Sequence, residues 1–283
     1  MPGTSRTGGY DLHTHSVCSD GTTRPAEIAI EAADIGLAGF ALTDHDTIDG
    51  WEEARAAARA AGLDFLPGIE ITTKYRGRSR HLLGYGVRPE AGDLFEALAE
   101  VRANRLGRAR EMVRLLSADY AISWEEVVRA EDAATVGRPH IADALVAAGY
   151  VSDRSTAFET VLHPASQYYI GTMAIDTAVA IRLVRAAGGV SVLAHPAAFR
   201  QRGPLPPGDL TELAAAGLWG IELDHPENRA DWLPPIEQRA RELGLEITGA
   251  SDYHGAGKPN RLGERTSPPE LVERLRALVA VPR

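Results

Sequence analysis

The sequence predicts an α/β fold in which strands and helices alternate around a parallel sheet or barrel, with one helical segment inserted. Three observations support this. Strand-like and helix-like segments alternate at a spacing of roughly 25 residues near the start of the chain. The stretch 90–176 shows mainly helical patterning, after which the alternation resumes. At 283 residues, the chain can form one large barrel or two ordinary domains.

The first elements follow one another closely. Residues 1–9, rich in Gly, Ser and Thr, are expected to form a flexible tail, and a short strand follows at 10–15. Thr23 is expected to cap a helix that carries Pro25 in its first turn and ends at Gly36. The next predicted elements are a strand at 39–44, a helix at 51–61, a strand at 64–72 and a strand that begins near His81.

The middle of the chain has a different pattern. Leu94, Leu98, Val101 and Leu106 recur at helical spacing, and 141–148 is a further predicted helix. We therefore predict a helical insertion, or cap domain, at 90–176 within a barrel domain formed by 10–89 and 177–283. Charged helix faces, such as that of 102–114, are expected to be solvated. Strands return at 190–195, 219–225 and 245–252.

Composition limits the possible functions. The net charge of -9 disfavours an extended nucleic-acid surface, because such surfaces need a basic face. No run of 18 apolar residues is present, so we expect no membrane span. The single cysteine, Cys18, and the lack of an apolar signal segment favour the cytoplasm. An anionic substrate would need local cations, which bound metals can supply.

Histidines mark the ends of the predicted strands. Six of the nine lie at or beside such an end, where a barrel gathers its active-site loops: His13, His15, His45, His81, His195 and His254. His13 and His15 point to the same side of an extended backbone, which suits one cation. Each signal has a simpler explanation, since Asp20 is typical of a turn before Gly21 and Asp46 or Asp49 of a helix cap.

Acidic residues accompany these histidines. Glu70 lies inside an apolar strand, where an unpaired carboxylate would cost several kcal/mol unless a cation neutralised it. Asp252 and His254 repeat the period of two after another apolar strand. Because a packed core does not require such groups at the same end of separate strands, their convergence predicts a multinuclear metal site.

The ordered motifs carry a family resemblance. His13-x-His15 with Asp20, Asp44-His45, Glu70, His81, His195-Pro196 and Asp252-x-His254 resemble the motifs of the PHP (polymerase and histidinol phosphatase) superfamily, over 10–86 and 188–265. The resemblance implies a distorted (β/α)7 barrel holding two or three divalent metals. It assigns the first metal to His13, His15, Glu70 and Asp252, the second to Asp20, His45 and His254, and the third to Glu70, His81 and His195. Glu70 would bridge metals.

The insertion resembles that of one subgroup of the superfamily. The segments 137–151 and 162–171 resemble the insert of small PHP phosphoesterases, which include nucleoside 3′,5′-bisphosphate phosphatases and oligoribonucleotide-trimming enzymes. The resemblance implies that Arg138 and His140 contact phosphate, and an Arg fork suits phosphate oxygens. The simpler interpretation is a helix start with Pro139 in its first turn. His225, at another strand end, is a candidate phosphate contact or proton donor.

These residues predict a metal-dependent phosphoesterase. Its expected substrates are phosphate monoesters of nucleotides, or short oligoribonucleotides, attacked by a hydroxide that bridges two cations. The catalytic group comprises Asp20, His45, Glu70 and His225. Mixed imidazole and carboxylate ligands favour Mn²⁺, Fe²⁺ or Zn²⁺. Three alternatives remain: a histidinol phosphate phosphatase, an amidohydrolase-like enzyme acting on C–N bonds, although no predicted strand offers a lysine for carboxylation, and a metal-stabilised binding module without catalytic activity.

Overall fold

The computed structural model describes residues 8–128, 136–201 and 203–279, and it forms a mixed α/β fold around one curled sheet. Residues 1–7 of the expected tail lie outside the described residues. The strands are β1 (Tyr10–Thr14), β2 (Gly39–Leu42), β3 (Asp64–Tyr75), β4 (Arg78–Tyr85), β5 (Ile175–Asp176), β6 (Val190–Leu193), β7 (Gly220–Asp224) and β8 (Glu246–Gly249).

Helices cover the sheet and fill the predicted insertion. They are α1 (Pro25–Asp34), α2 (Trp51–Ala60), α3 (Gly92–Leu116), α4 (Trp124–Val127), α5 (Arg138–Ala147), α6 (Arg154–Glu159), α7 (Thr177–Ala186), α8 (Pro207–Ala215), α9 (Leu233–Glu242) and α10 (Pro269–Leu278). No helix of the described residues is long and apolar enough to cross a membrane.

The sheet follows the order β1-β2-β3-β4-β6-β7-β8, and β5 pairs with β3. Its two ends approach each other, because Thr14 forms a parallel bridge with Tyr253 just beyond β8. The N–H of His15 donates to the carbonyl of Tyr253 at 2.8 Å. This closure gives the distorted barrel that the sequence motifs imply, and it brings the segment after β8 alongside β1.

One strand runs against the predicted parallel pattern. β4 is antiparallel to both β3 and β6. A two-residue turn joins it to β3, and Arg76 and Gly77 both have positive φ there, as a type I′ turn requires. Because β4 is reversed, residues early in β4 lie at the end of the barrel where the other strands finish. His81 therefore reaches the same mouth as the strand-end histidines.

Two hydrophobic clusters hold the barrel. The larger lies between the sheet and its helices, and includes Phe40, Ile69 and Leu193. The smaller contains Leu12, Leu83 and other strand residues, together with apolar side chains of α10. Burial of these side chains leaves the polar groups at the carboxyl ends of the strands to form the mouth.

The helices of the insertion have a core of their own. Apolar residues of α4, α5, α6 and the second half of α3 pack together there, while the first half of α3 packs on the barrel cluster. One strand also occurs in this stretch, since β5 forms a two-residue pairing with β3. The mainly helical pattern predicted for this stretch did not include this short strand; the domain boundaries at 90 and 176 stay a prediction.

Two local expectations are wrong. The residue that caps α1 is Arg24 rather than Thr23, whose hydroxyl pairs with that of Tyr253 at 3.1 Å. The arginine-rich face of α3 is not fully solvated, because Arg108 is buried and Arg105 contacts Asp46. Arg102 and Arg105 of this face find partners at the barrel mouth, whereas Arg108 donates to the carbonyl of Ile170 within the insertion at 2.6 Å.

Candidate metal centre

Glu70 lies at the centre of the site. It is 1% exposed, and five imidazole nitrogens surround its carboxylate. Oε2 lies 3.3 Å from His13, 3.1 Å from His15 and 3.2 Å from His45, whereas Oε1 lies 2.8 Å from His81 and 3.1 Å from His195. One carboxylate cannot satisfy five imidazoles in a dry interior by hydrogen bonding alone. This arrangement suits cations placed between them.

The first predicted ligand set converges on one point. His13 Nε2, His15 Nε2, Glu70 Oε2 and Asp252 Oδ1 lie 3.1–3.4 Å from one another in the pairs that are in contact. Ligand atoms about 2.0–2.1 Å from a tetrahedral metal are separated by roughly 3.4 Å, so the observed spacing fits one cation. Asp252 Oδ1 is buried without a hydrogen-bond partner in the described residues.

The second predicted set is also brought together. Asp20 lies between two imidazoles, with 3.3 Å to His254 Nε2 and 3.8 Å to His45 Nε2. His15 Nδ1 joins this group at 3.7 Å from Asp20. Ligand atoms of all four residues lie within 4.8 Å of one another. The His15 ring thus presents one nitrogen to each group.

The third predicted set shares Glu70 Oε1, which both His81 and His195 approach. His45 adds a contact that the resemblance does not assign, because ligand atoms of His45, Glu70 and His81 also lie within 4.8 Å of one another. His45 therefore faces both Asp20 and Glu70, through different ring nitrogens.

In two of the histidines, a hydrogen bond from Nδ1 shows that the other ring nitrogen, Nε2, faces the site. His254 Nδ1 donates to the carbonyl of Asp252 at 2.8 Å, and His13 Nδ1 donates to Glu222 at 3.0 Å. A neutral imidazole with a proton on Nδ1 has a free lone pair on Nε2. His254 therefore presents Nε2 to the site in the form that binds metal, and His13 does so once Nε2 has lost its proton.

Electrostatics match a cluster of cations and anions in a dry pocket. Burial opposes ionisation of Glu70, but the neighbouring imidazoles outweigh it and hold the pKa of its carboxyl well below its usual range. Burial also disfavours the charged form of His15, yet the adjacent carboxylates of Asp252 and Glu70 raise its pKa to about 9. Burial and the charge of Lys258 lower the pKa of His254 to about 4.

The remaining carboxylates near His45 have supporting roles. Asp44 accepts hydrogen bonds from Ser16 N–H at 2.7 Å and from the hydroxyls of Ser16 and Ser19 at 2.7 and 2.6 Å. Asp46 accepts from Thr72 N–H at 2.7 Å. Neither caps α2, whose N-cap is Gly50. They hold the loops that carry the cluster, so the capping alternative for Asp46 is wrong.

Strained backbone accompanies these loops. Outside the β3–β4 turn, positive φ at described non-glycine residues occurs at Asp46, His195 and Asp252, with values of 56°, 28° and 55°. Such conformations cost of order 1–3 kcal/mol each and persist only where the surroundings impose them. The strain falls on the residues that turn side chains into the mouth.

The predicted phosphate contacts lie at the start of α5, and Pro139 occupies the first turn as expected. The guanidinium of Arg138 stacks over the rings of Phe158 and Tyr169, at 5.2 and 5.5 Å from their centroids. His140 is buried, and its Nδ1 accepts from the N–H of Gly137 at 3.0 Å. Their role toward phosphate stays a prediction.

The insertion contacts the barrel mouth directly. Arg102 donates to the carbonyl of Asp46 at 2.5 Å, and Arg105 donates to Thr72 at 2.6 Å. Arg154 donates to the carbonyl of Asp20 at 3.0 Å. The helices of the insertion therefore border the same opening as the histidine and carboxylate cluster.

Comparison with known proteins agrees with this geometry. The PHP domain model matches residues 11–138. A 3′,5′-nucleoside bisphosphate phosphatase of Chromobacterium violaceum is 33% identical over 258 residues, which cover 89% of each chain. The chain belongs to the PHP family. A 5′-3′ exoribonuclease of Haemophilus influenzae is a further PHP relative, 32% identical over 87% of this chain and 89% of its own length.

A solved structure extends the match over the whole fold. A protein from Bifidobacterium adolescentis, described as a metal-dependent phosphoesterase, superposes on this PHP chain with a TM-score of 0.93. The two chains are 39% identical, and the match covers 98% of each. This PHP protein is therefore a metal-dependent phosphoesterase, and its histidine and carboxylate groups are able to hold metal.

Three charged residues of this PHP site were not predicted. Glu222 is fully buried beside His13. Lys258 donates to Asp252 Oδ2 at 2.5 Å, and Arg200 approaches the His195 ring at 2.9 Å. Glu222 has the same sequence signal as Glu70, a carboxylate inside an apolar strand. Lys258 and Arg200 lie in loops, and their sequence gives no comparable signal.

Proposed function

We propose that this protein hydrolyses phosphate monoesters of nucleotides, such as nucleoside 3′,5′-bisphosphates, or removes residues from short oligoribonucleotides. The contact of five imidazoles with the single carboxylate of Glu70 carries the proposal. Such a cluster binds two or three divalent cations, and Mn²⁺, Fe²⁺ or Zn²⁺ suit its mixed ligands. When bound, these cations would supply a hydroxide near neutral pH and neutralise charge on the phosphoryl group.

The proposed ligands are the nine residues of the three sets. The metal-fitting spacing of the first set and the unpartnered Asp252 Oδ1 support them. The catalytic group comprises Asp20, His45 and Glu70, with His45 facing both carboxylates, and also His225, whose ring lies next to those of His13 and His195. The presence of a single half-buried thiol, Cys18, fits the proposed cytoplasmic location.

His225 is proposed to donate a hydrogen bond to the leaving oxygen; transfer of a proton to that oxygen would need the imidazolium form of the ring. The N–H of Glu227 donates to His225 Nδ1 at 3.1 Å, so in the neutral ring the proton resides on Nε2. Nε2 is buried, has no hydrogen-bond partner in the described residues and lies 3.5 Å from Asp252 Oδ2. A proton held on this nitrogen beside the ligands favours donation over metal binding. The same N–H also suits contact with a phosphoryl oxygen.

Arg138 and His140 are proposed to bind substrate phosphate from the insertion. Among the described residues, no carboxylate forms an ion pair with Arg138, and burial lowers the pKa of its guanidinium. Aromatic rings hold the guanidinium plane in place, which limits the entropy lost when it binds an anion. A phosphate would supply the missing counter-charge.

The relatives direct the choice of substrate for the test. Purified protein loaded with Mn²⁺ is assayed for phosphate release from adenosine 3′,5′-bisphosphate, AMP and histidinol phosphate, and for cleavage of short RNA, at matched concentration. We expect the bisphosphate and the RNA to be preferred in kcat/KM. A strong preference for histidinol phosphate would reject the nucleotide assignment, and hydrolysis of amides instead of phosphates would reject the proposal altogether.

The proposed catalytic centre has its own control. His45→Ala removes a ring that contacts both Asp20 and Glu70. His163→Ala removes an exposed histidine of the insertion, whose Nδ1 accepts from Ala165 N–H at 3.1 Å. We expect turnover to be lost only in the first variant. Equal turnover in the two variants would remove His45 from the catalytic group.

A further inference from the structure

Glu222 forms hydrogen bonds with two of the proposed metal ligands, at atoms that do not face the metal site. Its side chain is fully buried, and Glu222 is the middle residue of β7. Oε1 accepts a hydrogen bond from His13 Nδ1 at 3.0 Å, and Oε2 accepts from the main-chain N–H of His195 at 2.8 Å. One carboxylate oxygen of Glu222 thus binds the ring of His13, and the other binds the backbone of His195.

We propose that Glu222 is a positioning residue of the metal centre, which orients His13 and His195 and makes His13 a stronger ligand. The inference rests on the proposed metal site. A carboxylate behind a metal-bound histidine fixes the ring tautomer and increases the basicity of the other nitrogen. Here that nitrogen is His13 Nε2, which lies 3.3 Å from Glu70 Oε2 and 3.4 Å from Asp252 Oδ1.

The contact with His195 has a separate effect. His195 has a φ of 28°, which is a strained conformation for a residue with a side chain. The hydrogen bond from its N–H to Glu222 holds that backbone in place, and the ring then reaches Glu70 Oε1 at 3.1 Å. Through these contacts Glu222 acts on both oxygens of Glu70, although it does not touch that residue in any described contact.

An alternative is that Glu222 binds a cation itself, because ligand atoms of His13, Glu222 and His225 lie within 4.8 Å of one another. The hydrogen bonds argue against it. His13 Nδ1 carries the proton that Glu222 accepts, and His225 Nδ1 accepts from Glu227, which leaves the proton on His225 Nε2. A cation there would have to displace both protons.

The test measures Mn²⁺ affinity and stoichiometry in the purified full chain by calorimetric titration. Glu222→Gln keeps the shape of the side chain and removes its charge. The matched control is Asp224→Asn, on the same strand, where the carboxylate is exposed and pairs with Arg265 at 2.9 Å. We expect Glu222→Gln to weaken Mn²⁺ binding by about 10- to 100-fold at unchanged stoichiometry, and the control to bind like wild type.

A double-mutant cycle tests whether the effect passes through His13. In a His13→Ala background, Glu222→Gln should cause a much smaller further loss than in wild type, because the oriented ring is already absent. NMR of the Zn²⁺-loaded protein gives a second measurement: the hydrogen-bonded Nδ1–H resonance of His13 should be present in wild type and altered in Glu222→Gln. Thermal unfolding of the metal-free variants checks that each one folds.

The possible outcomes are distinct. Unchanged Mn²⁺ affinity in a folded Glu222→Gln variant would overturn the inference, and so would full additivity with His13→Ala. The loss of one bound ion per chain at otherwise normal affinity would show instead that Glu222 is a ligand. If wild type itself binds no Mn²⁺, the proposed metal site fails, and that result is separate from a failure of Glu222 alone.

Discussion

Binding of divalent cations should release protons from this protein at neutral pH. In the metal-free site the pKa of His15 is raised to about 9, because the adjacent carboxylates of Asp252 and Glu70 outweigh the effect of burial. The charges of Glu222, Glu70 and Asp252 likewise overcome burial and raise the pKa of His13. A metal binds only the unprotonated nitrogen, so each imidazolium must lose its proton first.

The magnitude follows from these pKa values. At about pH 7.5 a group with a pKa of 9 is about 97% protonated, whereas His254, with a pKa of about 4, is already neutral. His13 Nε2 and His15 Nε2 are only 3.1 Å apart, so a proton on one disfavours a proton on the other. We therefore expect between about one and two protons to be released from this pair, with any ionisation of bound water adding to that number.

The sign of the pH dependence follows directly. Raised pKa values mean that protons compete with metal across the neutral range, so affinity should fall as pH falls. The fall should be about tenfold per pH unit for each proton released, and the competition from the His15 proton should end above about pH 9. Titration calorimetry with Mn²⁺ in two buffers of different ionisation enthalpy measures the number of protons. Equal apparent enthalpies in both buffers at neutral pH would refute the reasoning.

Three further predictions concern the centre and its frame. Glu70→Gln should lower kcat for adenosine 3′,5′-bisphosphate by at least about 10³-fold, measured by phosphate release. The reason is that a neutral amide has one oxygen where the carboxylate has two, so it cannot hold a cation at each position. Near-normal turnover would contradict this. Dialysis against a chelator should abolish turnover and lower Tm. Mn²⁺ at about 100 times its Kd should then raise the free energy of unfolding by about 2.7 kcal/mol, measured by calorimetry. An unchanged Tm would argue against a resident metal. Gly77→Ala should reduce the free energy of unfolding in urea by about 1 kcal/mol without changing Mn²⁺ affinity, because φ at Gly77 is 75° and an added Cβ meets no neighbour; an unchanged stability would show that the turn relaxes.

Much of the site could be predicted because strand geometry is regular. His13 and His15 share a side of β1 by the period of two, and both reach Glu70. Glu70 itself could be found by its chemistry, since a charged group within an apolar strand needs a partner. The same reasoning applied to Glu222 would have found it. The spacing of the histidines and the position of a carboxylate within an apolar strand can both be read from a few consecutive residues.

Other features depend on contacts between distant segments. Asp44 is held by Ser16 and Ser19, and nothing within the segment around Asp44 indicates that they are its partners. The burial of Arg108 follows from its contacts with Tyr169 and Ile170 in the insertion, whereas its sequence resembles that of any solvated helix. The reversal of β4 depends on the two-residue turn at Gly77, which the alternation of the preceding elements did not suggest.

The long hairpin of β3 and β4 also shapes the approach to the mouth. β3 continues for five residues past Glu70 before it turns at Arg76, a rise of about 16 Å at strand spacing. This hairpin borders one side of the opening, and the helices of the insertion lie near it. A short RNA of the kind proposed as substrate would therefore approach Glu70 along this hairpin and the insertion.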